Sequence, residues 1–206
     1  MKEDILEQLV DDYLQASGYF TRHNVKFFLP KEHRRKGLDG NHSDIDVLGI
    51  HPKKTDFDHV WVVSCKSWQS GFKVAAKLRE IEERKIVSGR DAWRFFRELA
   101  HPQWAQAFME EIETLTGTRK FTYITAVTRI DGSPKLWEEH EPFRNNLEGN
   151  PIKLIELSEL LAFIRSQTTT TVASSTIGRV IQLIKASEKG KPALAKALDL
   201  QLPADE

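Results

Sequence analysis

The stretch from residue 44 to residue 66 constrains this chain most. "DIDVLGI" and "VWVVSCK" are two apolar, β-branched runs joined by the polar-rich "HPKKTDFDH". Runs of this composition form strands, and a connection that short joins antiparallel neighbours. Both runs have unusual ends, because the first opens with Asp44, Ile45 and Asp46 and the second closes with Ser64, Cys65 and Lys66. Side chains alternate along a strand, which puts Asp44, Asp46, Leu48 and Ile50 on one face and Val62, Ser64 and Lys66 on one face of the neighbour. With Ile50 opposite Val60, Asp46 falls opposite Ser64 and Lys66 beside Asp44. A carboxylate and an ammonium then meet at one sheet edge.

The flanking sequence supplies the layers such a sheet needs. Upstream, Ile5, Leu6, Leu9, Val10, Tyr13 and Leu14 make one face of an amphipathic helix over 3–17, with Gly18 at its C-terminal end. "YFTRHNVKFFL" follows as a strand that Pro30 ends. Downstream, the pattern predicts a helix over 73–87, further helix over 90–116 broken at "HPQW", a strand over 120–129, and a short strand running into a helix over 152–164. The order reads as an α/β fold, a mixed central β-sheet flanked by helices. At 206 residues the chain has room for one core domain over 1–165, with a helical insertion at about 88–118. The low-complexity "SQTTTTVASS" at 166–175 reads as a linker, and 176–206 as a helical tail that packs back on the core or on a second subunit.

Composition narrows the function classes. With 30 basic and 30 acidic residues the net charge is zero, so any contact with nucleic acid must be local. The densest basic patch is "KEHRRKG", where Arg34, Arg35 and Lys36 make either a solvated turn or a phosphate-contacting loop. A single cysteine excludes an internal disulfide and a cysteine-rich zinc site, which leaves Cys65 as a small buried residue. The 7 histidines show no helical zinc-pair spacing, and no glycine-rich phosphate loop implies a nucleotide cofactor. No apolar run approaches the roughly 20 residues of a membrane helix and "MKEDILEQL" lacks a signal-peptide core, so the expectation is a cytoplasmic protein with no membrane contact. The aromatics from Trp93 to Phe108 recur at helical spacing and are expected in the core rather than stacked on bases.

A carboxylate at the edge of a sheet can hold a hard divalent cation such as Mg²⁺, which takes oxygen ligands and keeps several waters. A neighbouring lysine can orient an attacking water and offset charge on phosphoryl oxygens. The plain alternative is a cross-strand salt bridge.

The combination "SDIDVLGI" with "VWVVSCKSW", preceded by "ILEQLVDDYLQASGYF", resembles the restriction-endonuclease-like, or PD-(D/E)xK, nuclease superfamily, and within it the Mrr-like and Holliday-junction-resolvase-like branches. The likeness spans about residues 3–86. It implies a restriction-endonuclease-like core and a Mg²⁺-dependent hydrolase of DNA phosphodiester bonds, with Mn²⁺ able to substitute, in a restriction, repair or mobile-element setting. Glu7 would match the acidic residue of the first helix, Asp46 the metal-binding aspartate, and Lys66 the lysine that positions the water. Glu7 would orient a metal-bound water or the lysine. Arg34, Arg35 and Lys36 would contact backbone phosphates, and cutting both strands of a duplex would favour a homodimer.

The departure is Ser64, which stands where most members carry the second metal-binding carboxylate and would serve only as a hydrogen-bonding neighbour. In one subgroup with a Ser-Cys-Lys form, a glutamate fourteen residues after the lysine replaces it, which here is Glu80. The helical wheel favours Glu82 instead, at the centre of the face bearing Val74, Leu78 and Ile81, where a carboxylate is costly unless paired or metal-bound. Two further readings stay open: a weaker metal site built on Asp46 and Glu7, or a catalytically inactive domain that binds nucleic acid or a protein partner.

Overall fold

A computed structural model describes residues 4–33, 40–167, 173 and 175–188. Helix α1 (Ile5–Ala16) is followed by strands β1 (Phe20–Phe28), β2 (His42–Ile50), β3 (Val60–Lys66) and β4 (Phe72–Lys73), then helix α2 (Val74–Glu82). Short strands β5 (Ile86–Val87) and β6 (Arg90–Asp91) lead through a 3₁₀ turn at Ala92–Phe96 into α3 (Arg97–Ala100) and α4 (Pro102–Thr116). The chain continues through β7 (Thr122–Val127), β8 (Ile130–Asp131), α5 (Lys135–Glu138), α6 (Glu141–Asn146), β9 (Ile152–Glu156), α7 (Leu157–Gln167) and α8 (Thr176–Glu188).

The fold is α/β, with a mixed five-stranded sheet in the order β1-β2-β3-β7-β9 between helices. The first three strands are antiparallel, and β3, β7 and β9 are parallel. Every residue of β7 is buried, as expected of a central strand covered on both faces. One face packs Val62, Tyr123 and Val127 against Phe96, Trp104, Phe108 and Trp137. The other packs Trp61, Val63, Ile124 and Ala126 against Leu6, Val10 and Leu14 of α1 and Leu160 of α7.

Local chemistry sets the ends of α1. The Asp4 carboxylate accepts the Leu6 N–H at 2.8 Å as the N-cap, and Gly18 takes the left-handed conformation after the last turn. Beyond α7, α8 buries Ile181 against Leu9 and Ile164, and Ser175 Oγ donates to Asp12 Oδ2 at 2.5 Å. The described part of the expected tail therefore packs back on the core. Of the expected linker, residues 168–172 and 174 lie outside the described residues, as do residues 189–206 of the tail. No helix among the described residues is long and apolar enough to cross a membrane.

Two expected helices differ. The helix over 73–87 stops at Glu82, because Arg84 turns left-handed and Ser88-Gly89, both at positive φ, form the turn of the β5–β6 hairpin. Ile86, counted on the apolar face of that helix, is 67% exposed. The stretch 90–116 divides into a 3₁₀ turn and two helices, with Pro102 opening α4. The polar, proline-containing "SPKLWEEHEPFRNN" hides α5 and α6, which bring Trp137 and Phe143 into the core.

Candidate active site

Strands β2 and β3 pair from Ile50↔Val60 to Val47↔Val63 and then part. Beyond that point β3 follows β7 as far as Lys66↔Val127, while the start of β2 stays with β1. Separation frees the Cys65 N–H from its ladder partner, and Asp46 Oδ2 accepts it at 2.5 Å. Asp46 thus stands in the crotch of a fork. The expected register holds at Ile50 and Val60, but the expected cross-strand pairs of Asp46 with Ser64 and of Asp44 with Lys66 do not form, because the ladder has opened.

Alternation also slips at this position. Ile45 and Leu48 share one core cluster and Val47 faces the other, so Asp44 and Asp46 do not lie on a common face with Leu48 and Ile50 as simple alternation predicts. The neighbouring strand shows the cause: Asn24, between the pairs His23↔Val47 and Val25↔Ile45, has φ 51° and breaks the pleat opposite Asp46.

Lys66 Nζ donates to Ser64 Oγ at 2.8 Å and lies 5.6 Å from the centre of the Phe96 ring. Ser64, on the same face of β3, also interacts with Asp46 and with the Tyr123 hydroxyl. Tyr123, paired with Val62 across β3 and β7, donates its hydroxyl to Glu98 Oε1. Glu98 belongs to α3, is only 7% exposed, and interacts electrostatically with both Lys66 and Asp46. Glu7, in the first turn of α1, approaches Asp46 from the opposite face of the sheet. Ser67 Oγ donates to Asp4 Oδ2 at 2.6 Å and ties the end of β3 to the start of α1.

These carboxylates are held against their preference. Burial pushes Asp46 above the usual aspartate range and Asp44 adds to it, against the pull of the Lys66 ammonium and the Cys65 N–H. Glu98 is raised by burial, opposed by Lys66 and the Tyr123 hydroxyl. Glu7 is raised by burial and by Asp46. The Cys65 thiol is driven well up by burial, then by Asp46, and so stays protonated. Asp46 raises both Glu98 and Glu7, and a positive charge placed beside it would relieve that repulsion.

The two helix glutamates expected from sequence are held elsewhere. Glu80 is paired with Lys77 at 2.7 Å, and the Lys77 ammonium lies over the Trp68 ring. Glu82 faces His140 at 3.8 Å with its side chain 58% exposed. The main charges acting on Asp46 are Lys66 and Asp44. Val74, Leu78 and Ile81 do pack in the core, but the helix ends at Glu82 itself, which leaves that carboxylate at the open end of the face rather than at its centre. Arg34, Arg35 and Lys36 lie outside the described residues.

Glu98 was legible by the argument applied to Glu82, that a charge inside an apolar run needs a partner. In "WRFFRELA" it sits between Phe96 and Leu99, both buried. The break expected at "HPQW" is present, but expecting regular helix from residue 90 up to it concealed Glu98, because Ala92–Phe96 is a 3₁₀ turn.

The donor chemistry suits a hard cation. Asp46 and Glu98 supply oxygen, and no group of three or more histidine, cysteine, aspartate or glutamate side chains among the described residues is arranged to hold a metal. No protein-family model, curated protein or solved structure matches the chain.

Proposed function

We propose that this chain is a metal-dependent deoxyribonuclease of restriction-endonuclease-like type, hydrolysing phosphodiester bonds with Mg²⁺ or Mn²⁺. The observation that carries the reading is the Asp46 carboxylate anchored on the Cys65 N–H where β2 and β3 part, with Lys66 and the buried Glu98 acting on it. Glu98 takes the part expected of Glu80 or Glu82, the carboxylate that Ser64 does not supply.

Asp46 and Glu98 would hold the cation, which supplies charge neutralisation on the phosphate and a more acidic bound water. Lys66, kept in place by Ser64 Oγ and the Phe96 ring, orients the attacking water and offsets charge on the phosphoryl oxygens. Tyr123 fixes the Glu98 carboxylate, so its geometry costs no reorganisation when substrate arrives. Glu7, on the other side of the fork, orients water at Asp46.

Incubation with supercoiled plasmid and with labelled single-stranded DNA tests the reading. Cleavage should require Mg²⁺ or Mn²⁺, stop with chelator, and be lost in Lys66→Ala and Asp46→Asn. A second reading, a catalytically inactive nucleic-acid-binding or assembly module, is favoured by one observation: Lys66 already donates to Ser64 and Glu98 already accepts from Tyr123. Equal DNA binding with and without chelator, and no cleavage with either metal, would establish that module and remove the nuclease.

A further inference from the structure

Helix α3 has a second polar surface. Glu98 and Leu99 are buried, whereas Arg97, Ala100 and His101 line a cleft of about 340 Å³. We propose that this cleft binds one nucleotide unit, with its phosphate on the Arg84 guanidinium and its base against the Trp93 and His101 rings. The inference rests on the nuclease reading only in taking that unit to belong to a nucleic-acid strand.

The volume falls within the roughly 300–1,000 Å³ of ordinary ligand sites. Arg84, Arg94 and Arg97 line the cleft with Asp91, whose carboxylate already accepts from Arg94 Nε at 3.0 Å. Among the described residues the lining therefore holds three arginines and one aspartate. Two of the guanidiniums are set in advance. Arg94 lies 5.4 Å from the centre of the Trp93 ring, and Arg97 lies 4.8 Å from that of Trp104 while donating to the carbonyls of Gly40 and His42 at 3.2 and 3.3 Å. These contacts fix where both guanidiniums stand, so what they bring to the cleft is positive charge at set positions.

Arg84 is placed differently. Its backbone is left-handed, φ 50°, just past the end of α2, a position where glycine is usual. Among the described residues its guanidinium makes no hydrogen bond or ion pair. Trp93 and His101, with ring centres 5.2 Å apart and planes 32° apart, add an aromatic surface that a bare inorganic anion would not need. Phosphate donors beside an aromatic wall match a nucleotide. The bonds from Arg97 to Gly40 and His42 tie the cleft to the start of β2, the strand that carries Asp46 to the fork.

The test is a calorimetric titration of the full chain in chelator with dAMP and with a single-stranded ten-nucleotide oligo-dA. Wild type should bind. Arg84→Ala and Trp93→Ala should each weaken binding about tenfold, and Trp93→Phe, which keeps a ring, much less. Tighter, salt-sensitive binding of the oligonucleotide identifies a strand as the source, and equal binding of dAMP a free nucleotide. Absence of wild-type binding, or folded Arg84→Ala and Trp93→Ala proteins that bind like wild type, would overturn the cleft. Binding that depends on Arg84 in a protein that cuts nothing would retain the cleft and remove the nuclease. Cleavage with KM and kcat unchanged in both variants would do the reverse.

Discussion

At the turn end of the β2–β3 hairpin, Tyr19 donates its hydroxyl to the Asp58 carbonyl at 2.9 Å, Lys54 Nζ donates to the Tyr19 hydroxyl at 3.2 Å, and Trp61 Nε1 donates to Asp58 Oδ1 at 3.2 Å. At the fork end, 46 and 64–66 present carboxylate, hydroxyl, thiol and ammonium where the strands have separated, and Asp46, Glu98 and Glu7 are all raised above their ordinary range. Both ends gather polar groups around the same two strands. The turn end spends them on closure, each group meeting a complementary one. The fork end gathers carboxylates around Asp46, which costs stability and is the feature that the proposed cation would relieve.

The largest effect expected from this contrast is on cleavage. Asp46→Asn keeps an acceptor for the Cys65 N–H while removing the charge, so plasmid cleavage should fall by roughly 10³-fold with the melting temperature unchanged or raised. A loss of melting temperature matching the loss of activity would mean that the fork is built for stability like the turn. Next is metal linkage. Mn²⁺ at about 100 times its Kd should stabilise the folded chain by about 2.7 kcal/mol, read as a rise in melting temperature. The rise should disappear in Asp46→Asn and shrink in Glu98→Gln. An equal rise in all three would place the ion elsewhere.

A smaller effect follows from the raised carboxylates. A carboxylate whose folded pKa lies above its unfolded value binds more protons in the folded state, so stability falls as pH rises through that interval and stays lower above it. Without metal, the contribution of the fork should therefore favour pH 5 over pH 7.5. Glu98→Gln, which still offers an oxygen to Tyr123, should raise stability at pH 7.5 by about 1 kcal/mol, some 2–4 °C, and reduce the pH dependence. A destabilised Glu98→Gln would show that Lys66 and Tyr123 outweigh burial. The smallest change is expected at the turn: Tyr19→Phe loses its bond to the Asp58 carbonyl, about 1 kcal/mol, and leaves metal binding untouched.

The hairpin, its register at Ile50 and Val60, the opening helix and the buried β7 were all readable, because apolar periodicity reports burial directly. The end of α2 was not, since Arg84 occupies a left-handed position that its residue type does not announce. The short α5 and α6 were hidden because prolines that read as loop signals open helices there. At the site, Asp46 and Lys66 announce themselves by standing at the ends of apolar runs, whereas Glu98 comes from a different part of the chain.

By itself the sequence determined the five strands of the main sheet and which residue types could carry chemistry, since these follow from local spacing. Only the tertiary structure decided where β2 and β3 part, and that the carboxylate joining Asp46 and Lys66 is Glu98 rather than Glu80 or Glu82. A ladder ends where its neighbours stop supporting it, and a buried charge goes where a partner from a distant segment meets it; both depend on contacts that local spacing does not encode.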